Sequence, residues 1–204
     1  MKSAMMTQLP NQFSRNFYQK TFCLRALRYP EDMPLIYQWM HAEHVVAQWQ
    51  LHLPMPALKA HIEKALADDH QRLYIVVCDG VDIGYTEVYE AKRDRLARYY
   101  QAKDSDIGWH LLLGNTDAVG RSYLKPTGML ISEFIFEHTE ATKIVVEPDS
   151  SIELYQWVTK QFGYFLQRYI EMPEKKASLY FCHREDFYQS NGYQSFYPTI
   201  TDTL

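Results

Sequence analysis

The sequence predicts one α/β domain, in which helices cover both faces of a mixed β-sheet. Residues 107–113 and 142–146 are apolar runs of strand length with a loop and a helical pattern between them. Two strands joined through one helix are expected to lie side by side and parallel. Residues 73–77 and 83–89 flank an Asp-Gly turn, which predicts an antiparallel hairpin. The sheet should therefore be mostly antiparallel, with one parallel pair.

The other elements follow from periodicity and turn residues. Further strands are predicted at 22–27, 164–171 and 177–182, and helices at 35–40, 56–66 and 152–161. Residues 1–20 are polar and irregular, so we expect an N-terminal arm there. The domain is expected to span residues 21–188, followed by an aromatic C-terminal tail at 189–204.

Length and charge exclude several classes of function. The 204 residues, 47% of them hydrophobic, suit a single core of ordinary size. The net charge of −4 argues against a nucleic-acid or anionic-membrane partner, which would require a basic face. Three widely spaced cysteines suit a reducing compartment, and no apolar run reaches the length of a membrane span. We therefore expect a cytoplasmic protein.

The unit of strand, loop, helix and strand has a possible chemical use. His110 lies at the centre of the first of these strands and Asp149 just beyond the end of the second, so the two could face each other across one strand spacing. The loop between them leads into a helix whose first N–H groups have no partner inside the helix, and such groups can hold a phosphate. Arg121 would add a charge and Ser122 a hydroxyl.

This layout resembles the Gcn5-related N-acetyltransferases, which bind coenzyme A on that loop and between two splayed parallel strands. Only Gly120 matches the usual phosphate-loop motif of that superfamily. A narrower resemblance, to the siderophore-biosynthesis acyltransferases, covers roughly residues 20–188. It is carried by Y-T-E-V-Y-E (85–90), D-S-D-I-G-W-H-L-L-L-G (104–114), K-I-V-V-E-P-D (143–149), M-P-E-K-K-A (172–177) and H-R-E-D-F (183–187).

The resemblance implies an enzyme that acylates an N-hydroxylated lysine or diamine from acyl-coenzyme A, either acetyl or succinyl. It implies that His110 contacts the hydroxylamine and that Asp149 acts in proton transfer. A strand N–H near Leu112 is the natural donor to the thioester oxygen. The residues expected to bind the cofactor are Leu112, Leu113, Gly120, Arg121, Ser122 and Tyr123.

Four residues are candidates for binding the acceptor. Trp49 lies in a region that borders the acceptor pocket in the resembling family, and Trp109 is a further candidate for substrate binding. Tyr85 and Glu87 share one face of their strand, where Glu87 could meet an amine end of the acceptor or belong to a solvated stripe. His41 and His44 are three residues apart with no evident third ligand, so no metal site is expected.

Two other functions remain open at this stage. One is an N-acetyltransferase for an ordinary amine such as an aminoglycoside or polyamine, which would have the same fold. Its cationic acceptor would require an acidic groove, for which Glu87, Asp104 and Asp106 are candidates. A non-catalytic acyl-coenzyme A-binding module is the other alternative, because the phosphate-loop motif is incomplete. A cysteine nucleophile is not expected, since none of the three cysteines lies near a base in this layout. The sequence allows a monomer or a homodimer.

Overall fold

The computed structural model describes residues 4–118 and 121–197, in which eight strands form one sheet. The strands are β1 (Gln12–Phe17), β2 (Lys20–Ala26), β3 (Gln71–Cys78), β4 (Val81–Glu90), β5 (Asp106–Leu113), β6 (Lys143–Val146), β7 (Tyr164–Glu171) and β8 (Lys176–His183). Their order across the sheet is β1-β2-β3-β4-β5-β6-β8-β7. Every neighbouring pair is antiparallel except β5 and β6. The predicted mixed sheet with one parallel pair is therefore confirmed.

The described residues form eight helices, four of which occupy the segments where the sequence predicts a helix. They are α1 (Ala4–Gln8), α2 (Met33–Met40), α3 (Glu43–Trp49), α4 (Met55–Ala67), α5 (Arg121–His138), α6 (Glu153–Gln161), α7 (Arg184–Gln189) and α8 (Asn191–Phe196). Short 3₁₀ turns occur at Arg95–Arg98 and Thr116–Ala118. No helix in the described ranges is both long enough and apolar enough to cross a lipid bilayer.

The N-terminal segment differs from the irregular arm that we expected for residues 1–20. From residue 4 onward it contains α1 and β1, and β1 pairs along its whole length with β2. Phe13 and Phe17 point inward from β1 and are buried, while the residues between them are polar. The two phenylalanines supply the apolar face of an edge strand. Because the rest of the segment is polar, the sequence does not predict this strand. In the expected tail at 189–204, Asn191–Phe196 is helical and residues 198–204 lie outside the described part of the chain.

Apolar side chains fill both faces of the sheet. Helix α5 packs on one face, where Val88, Ile107 and Phe134 belong to the same buried cluster. Helices α2, α3 and α4 pack on the other, where Tyr85 and Leu112 are buried. Tyr85 and Val88 thus lie on opposite faces of β4, as the period of two predicts.

The two parallel strands separate soon after they begin. Their pairing covers only residues 106–108 of β5 and 143–145 of β6. Beyond this point β5 stays with β4, whereas the chain after β6 stays with β8 through the bond from the Ser178 N–H to the Pro148 carbonyl and the bridge between Asp149 and Ala177. The divergence opens a wedge in the middle of the sheet.

Candidate active site

A cavity of about 370 Å³ occupies the wedge between β5 and the chain after β6. It reaches both faces of the sheet, because Trp109 and Leu111 line it on the α5 face and Glu87 and His110 line it on the opposite face. Helices α5 and α6, with Gly128 among their lining residues, form the wall on the α5 face. Helices α3 and α4 contribute Gln48, Trp49 and His61 on the other face. Two molecules approaching from opposite faces could therefore meet inside the sheet.

His110 lies in this cavity between two carboxylates. Its Nδ1 is 3.1 Å from Oε2 of Glu87, which faces it in the strand register, and its Nε2 is 3.0 Å from Oε1 of Glu147. The hydroxyl of Tyr89 is 3.1 Å from the same Nε2. Glu147 follows the last residue of β6 and its side chain is only 1% exposed. Lys175 approaches Glu147 from the β7–β8 connection, with its Nζ 3.6 Å from Oε1.

These contacts shift the pKa values of His110, Glu147 and Glu87. Burial by itself would lower the pKa of His110, but the charge and hydrogen bond of Glu147, followed by those of Glu87, outweigh it and raise the pKa to about 10. Burial would likewise raise the pKa of Glu147, yet the imidazolium and, to a smaller extent, Lys175 lower it to about 2. The pKa of Glu87 is also lowered, because the bonds from His110 and Tyr85 overcome its desolvation.

Asp149 lines the same cavity, but it does not pair with His110 by any hydrogen bond in the described residues. Its Oδ1 accepts hydrogen bonds from the Ser151 N–H at 2.9 Å and the Ser151 hydroxyl at 2.7 Å. The bond to the N–H is the main reason why the pKa of Asp149 is lowered. The expected contact between His110 and Asp149 is thus replaced by one between His110 and Glu147, and Asp149 lies on another part of the wall.

The backbone of β5 shows which amides face the cavity. The Gly114 N–H donates to the Ile83 carbonyl of β4 at 3.0 Å. In an antiparallel ladder alternate residues point both backbone groups to the same neighbour. The even-numbered residues of β5 therefore face β4, and Leu112 bonds to Tyr85, its partner in the register. Leu112 does not offer the free N–H that we expected from it.

Leu111 offers that group instead. As an odd-numbered residue it points its N–H away from β4, it lies beyond the last pair with β6, and it lines the cavity. Leu113 also points away from β4, but its carbonyl accepts a bond from Nε2 of His44 at 2.9 Å and it does not line the cavity. The one-residue correction follows from the register, which the sequence alone does not reveal.

Three of the four predicted acceptor residues, Trp49, Tyr85 and Glu87, lie together on the face opposite α5. The Tyr85 hydroxyl donates to Oε1 of Glu87 at 2.9 Å, and the ring centroid of Trp49 lies 5.6 Å from that of Tyr85 and 6.3 Å from that of His110. Glu87 is therefore engaged on both oxygens by Tyr85 and His110. This differs from the expectation that Glu87 meets the amine end of an acceptor or faces solvent.

Trp109 lies on the α5 face, away from the acceptor residues. Its Nε1 donates to the Tyr164 hydroxyl at 3.1 Å, and that hydroxyl also bonds to Oγ of Ser132 at 2.7 Å. The Ser132 hydroxyl in turn donates to the Gly128 carbonyl. The indole is thus fixed against the wall where α5 borders the wedge, so its position differs from the predicted contact with the acceptor.

The predicted phosphate loop is described only in part. Gly120 lies outside the described residues, and the side chains of Arg121 and Ser122 are not described either. Helix α5 begins at Arg121, so the start of a long helix does follow the loop as expected. Tyr123 turns toward the N-terminal hairpin, where its hydroxyl accepts a bond from Lys20 at 3.1 Å.

Glu147 is the main residue that the sequence analysis missed. It lies in the segment K-I-V-V-E-P-D, two residues before Asp149, to which the family resemblance assigned the proton transfer. A glutamate directly after three apolar strand residues was the available signal, since a carboxylate is rarely buried without a partner. The described residues hold no group of three or more His, Cys, Asp or Glu side chains that could bind a metal ion.

Comparisons with known proteins agree with this fold. The sequence profile of the acetyltransferase (GNAT) domain matches residues 28–172. The N-hydroxyputrescine acetyltransferase of Acinetobacter baumannii is 46% identical over 192 residues, which are 94% of this chain and 91% of that protein. The N(5)-hydroxyornithine:cis-anhydromevalonyl coenzyme A-N(5)-transacylase of Beauveria bassiana is 26% identical, over 84% of this chain and 38% of that protein. An uncharacterized protein from Bacillus halodurans has a similar structure, with a TM-score of 0.85, 29% identity and coverage of 91% of this chain and 95% of that chain.

Proposed function

The chain belongs to the acetyltransferase (GNAT) domain family, and on that premise we propose that it acylates the hydroxylated nitrogen of an N-hydroxy-diamine to give a hydroxamate for siderophore biosynthesis. The donor is acyl-coenzyme A, with acetyl-coenzyme A as the preferred form. The observation that carries the proposal is the open wedge in the sheet, in which an imidazole between two carboxylates faces a slot between diverging parallel strands.

The α5 face of the cavity fits the donor. The pantetheine arm is extended and polar along one edge, and it suits a slot whose edge carries backbone groups such as the Leu111 N–H. The first-turn N–H groups of α5 suit the pyrophosphate. Gly128 on α5 lines the slot, and a Cβ added there would meet no atom within 4 Å. The slot is therefore open along this helix.

The acceptor enters on the face of α3 and α4, beside Trp49. A hydroxylamine is much less basic than an alkylamine, so near neutral pH its nitrogen carries a lone pair without help from a strong base. Positioning then matters more than deprotonation. His110 and its two carboxylates meet the N-hydroxy group, and the Leu111 N–H donates to the thioester oxygen as charge develops there. Asp149 receives the proton of the attacking nitrogen through its carboxylate.

The relatives support the acceptor class. The Acinetobacter baumannii relative acts on an N-hydroxylated diamine by its name, and the Beauveria bassiana relative on an N-hydroxylated amino acid. The first is 46% identical over nearly the whole chain, so we extend its diamine acceptor and its acetyl donor to this protein. Two carboxylates that line the cavity without bonding to His110, Asp94 and Asp149, suit an acceptor that keeps a second, cationic amine.

Thiol release from acetyl- and succinyl-coenzyme A tests this function. The acceptors are N-hydroxyputrescine, N-hydroxycadaverine, N-hydroxylysine and the three parent amines without the hydroxyl group. We expect the highest kcat/KM with acetyl-coenzyme A and an N-hydroxy-diamine, and at least a hundredfold lower value with putrescine, which is a loss of about 2.7 kcal/mol of transition-state stabilisation. Faster turnover of the parent amines would instead assign an ordinary amine acetyltransferase. Failure to bind any acyl-coenzyme A in calorimetry would refute the donor as well.

A further inference from the structure

The ring of His110 is bonded on both of its nitrogens by carboxylates. Nδ1 faces Glu87 at 3.1 Å and Nε2 faces Glu147 at 3.0 Å. An ionised carboxylate can only accept a hydrogen bond, so each nitrogen must carry a hydrogen to satisfy its contact. A neutral imidazole carries only one. With both carboxylates ionised, the hydrogen-bond geometry therefore requires the charged imidazolium in the resting protein.

Of the two carboxylates, Glu147 is the more firmly fixed. Its side chain is 1% exposed, compared with 14% for Glu87. Its second oxygen lies 3.4 Å from the Tyr89 hydroxyl, and Lys175 approaches the first at 3.6 Å. The backbone on its C-terminal side is tied to β8 by the Pro148 carbonyl. Glu147 therefore cannot turn away into solvent and leave His110 without its charge partner.

We propose that Glu147 is a positioning residue that keeps His110 charged throughout acyl transfer, so that His110 supplies positive charge to the reacting thioester and does not act as the base. This inference rests on the proposed function, and it specifies the protonation state of His110 during the reaction. The role differs from the usual use of histidine as a proton acceptor, because a ring that already holds both protons has no lone pair to offer.

His110 keeps both of its ring protons throughout the proposed reaction. The C–N bond forms as the hydroxylamine nitrogen attacks, and the nitrogen then loses its proton to Asp149. Only one oxygen of that carboxylate is engaged by Ser151. The C–S bond breaks, the sulfur leaves as a thiolate and takes a proton from solvent, and Asp149 returns its proton to solvent at the cavity mouth. The positive charge of His110 is already in place when negative charge develops on the carbonyl oxygen and the sulfur.

Other charged and titratable groups surround the ring on every side. Those on β4 are Tyr85, Glu87 and Tyr89, and those beyond β6 are Glu147 and Asp149. The groups that line the cavity from other elements are His61, Asp94, Arg95, Tyr155, Tyr164 and Lys175. Arg95 is paired with Glu174, and Lys175 with Glu147. Apart from His110 itself, no cation within the described residues makes an ion pair with Glu87. The two carboxylates in direct contact with the ring therefore dominate its titration.

The first test follows the protonation of His110 itself by NMR of the histidine-labelled full chain, without substrate. The signal of His110 is assigned by its loss in His110→Asn. We expect the wild-type ring to stay charged through neutral pH and to titrate only in the alkaline range. In Glu147→Gln the amide keeps the shape but loses the charge, so the titration should move down by about 1–3 pH units. Glu174→Gln removes a nearby carboxylate that does not touch the ring, and it should leave the titration unchanged.

The second test measures thiol release with acetyl-coenzyme A and N-hydroxyputrescine across pH. If the imidazolium is the working form, wild-type kcat falls as pH rises through the pKa of His110. In Glu147→Gln this alkaline fall should begin at lower pH, so that kcat near pH 9 drops about tenfold with little change in KM. Glu174→Gln should retain the wild-type profile. A residue that only supported the fold would lower activity equally at every pH.

Two outcomes would overturn the inference. One is a wild-type His110 that titrates near its ordinary value, and the other is a Glu147→Gln profile that keeps the wild-type alkaline limb. If Glu147→Gln does not fold, as judged by circular dichroism, the wild-type titration and the Glu87→Gln variant still decide the matter, because removing either carboxylate must lower the pKa of the ring. The NMR result stands even if no hydroxylamine is turned over, so failure of the proposed function can be told from failure of this inference.

Discussion

At the scale of single residues, the site depends on side chains whose neighbours fix their roles. His110 and Asp149 line one cavity, yet the first is bonded to Glu87 and Glu147 and the second to Ser151. His110 is therefore held as a cation, while Asp149 remains a carboxylate with an oxygen free of the Ser151 bonds. The proposed roles divide accordingly into charge stabilisation and proton acceptance.

Asp149→Asn should lower kcat at least tenfold, since an amide cannot take the proton of the attacking nitrogen. The asparagine oxygen can still accept the bonds from Ser151, so the local turn should persist. Steady-state thiol release and thermal unfolding measure the two effects separately. Asp104→Asn is the control, because that carboxylate is exposed and pairs with Lys92 outside the cavity. Full activity of Asp149→Asn would remove Asp149 from the mechanism.

Gly108 leaves room for the ring of Tyr89, a residue that contacts His110. A Cβ added at Gly108 would lie 2.4 Å from ring carbons of Tyr89, whose hydroxyl contacts His110. Gly108→Ala should therefore displace that ring, destabilise the protein by about 1–3 kcal/mol and lower kcat. Urea unfolding and initial rates test both expectations. Gly128→Ala adds the same methyl where nothing lies within 4 Å, so its free energy of unfolding should not decrease.

The sequence revealed His110 but not its partners, for a physical reason. A histidine at the centre of an apolar strand is conspicuous, whereas the register that sets Glu87 opposite it arises from pairing between β4 and β5. Glu147 approaches only because the chain after β6 follows β8 away from β5. Those relations are non-local, and the one-residue choice between Leu111 and Leu112 depends on them as well.

At the scale of elements, local pattern was enough for most of the fold. The hairpin at β3 and β4, the α5 crossover and the parallel pair all have strong signals in apolar period or turn chemistry. The strand β1 was missed because only Phe13 and Phe17 in Q-F-S-R-N-F are apolar. Their partners lie far along the chain, with Phe13 packed against Phe134 and Phe17 against Phe196.

The contribution of β1 can be measured at Phe17, which is 1% exposed. Truncation of a buried phenylalanine removes packing and leaves a cavity, so Phe17→Ala should lower the free energy of unfolding by about 3–5 kcal/mol. Ser14→Ala changes an exposed residue of the same strand and should stay within about 0.5 kcal/mol of the wild type. Chemical denaturation of the two variants compares them directly. A small effect at Phe17 would mean that the N-terminal segment is a dispensable arm after all.

At the scale of the whole molecule, the split sheet would bring the donor and the acceptor of the proposed reaction to one point from opposite faces. The wall on the α5 face and the wall on the α3 and α4 face belong to one cavity, and His110 lies between them. An acyl group can therefore pass directly from one substrate to the other. None of Cys23, Cys78 and Cys182 is among the described residues that line this cavity. Burial raises the pKa of Cys182 well above its ordinary value, which further lowers its reactivity.

This architecture predicts a ternary complex without an acyl-enzyme. Initial rates measured against N-hydroxyputrescine at several fixed concentrations of acetyl-coenzyme A should give intersecting double-reciprocal lines, because both substrates must be bound before acyl transfer. Incubation with radiolabelled acetyl-coenzyme A alone should leave no label on the denatured chain. Parallel lines together with a labelled protein would show a covalent intermediate. If the labelled residue were a cysteine, the sheet would have to move so that its thiol could reach the thioester.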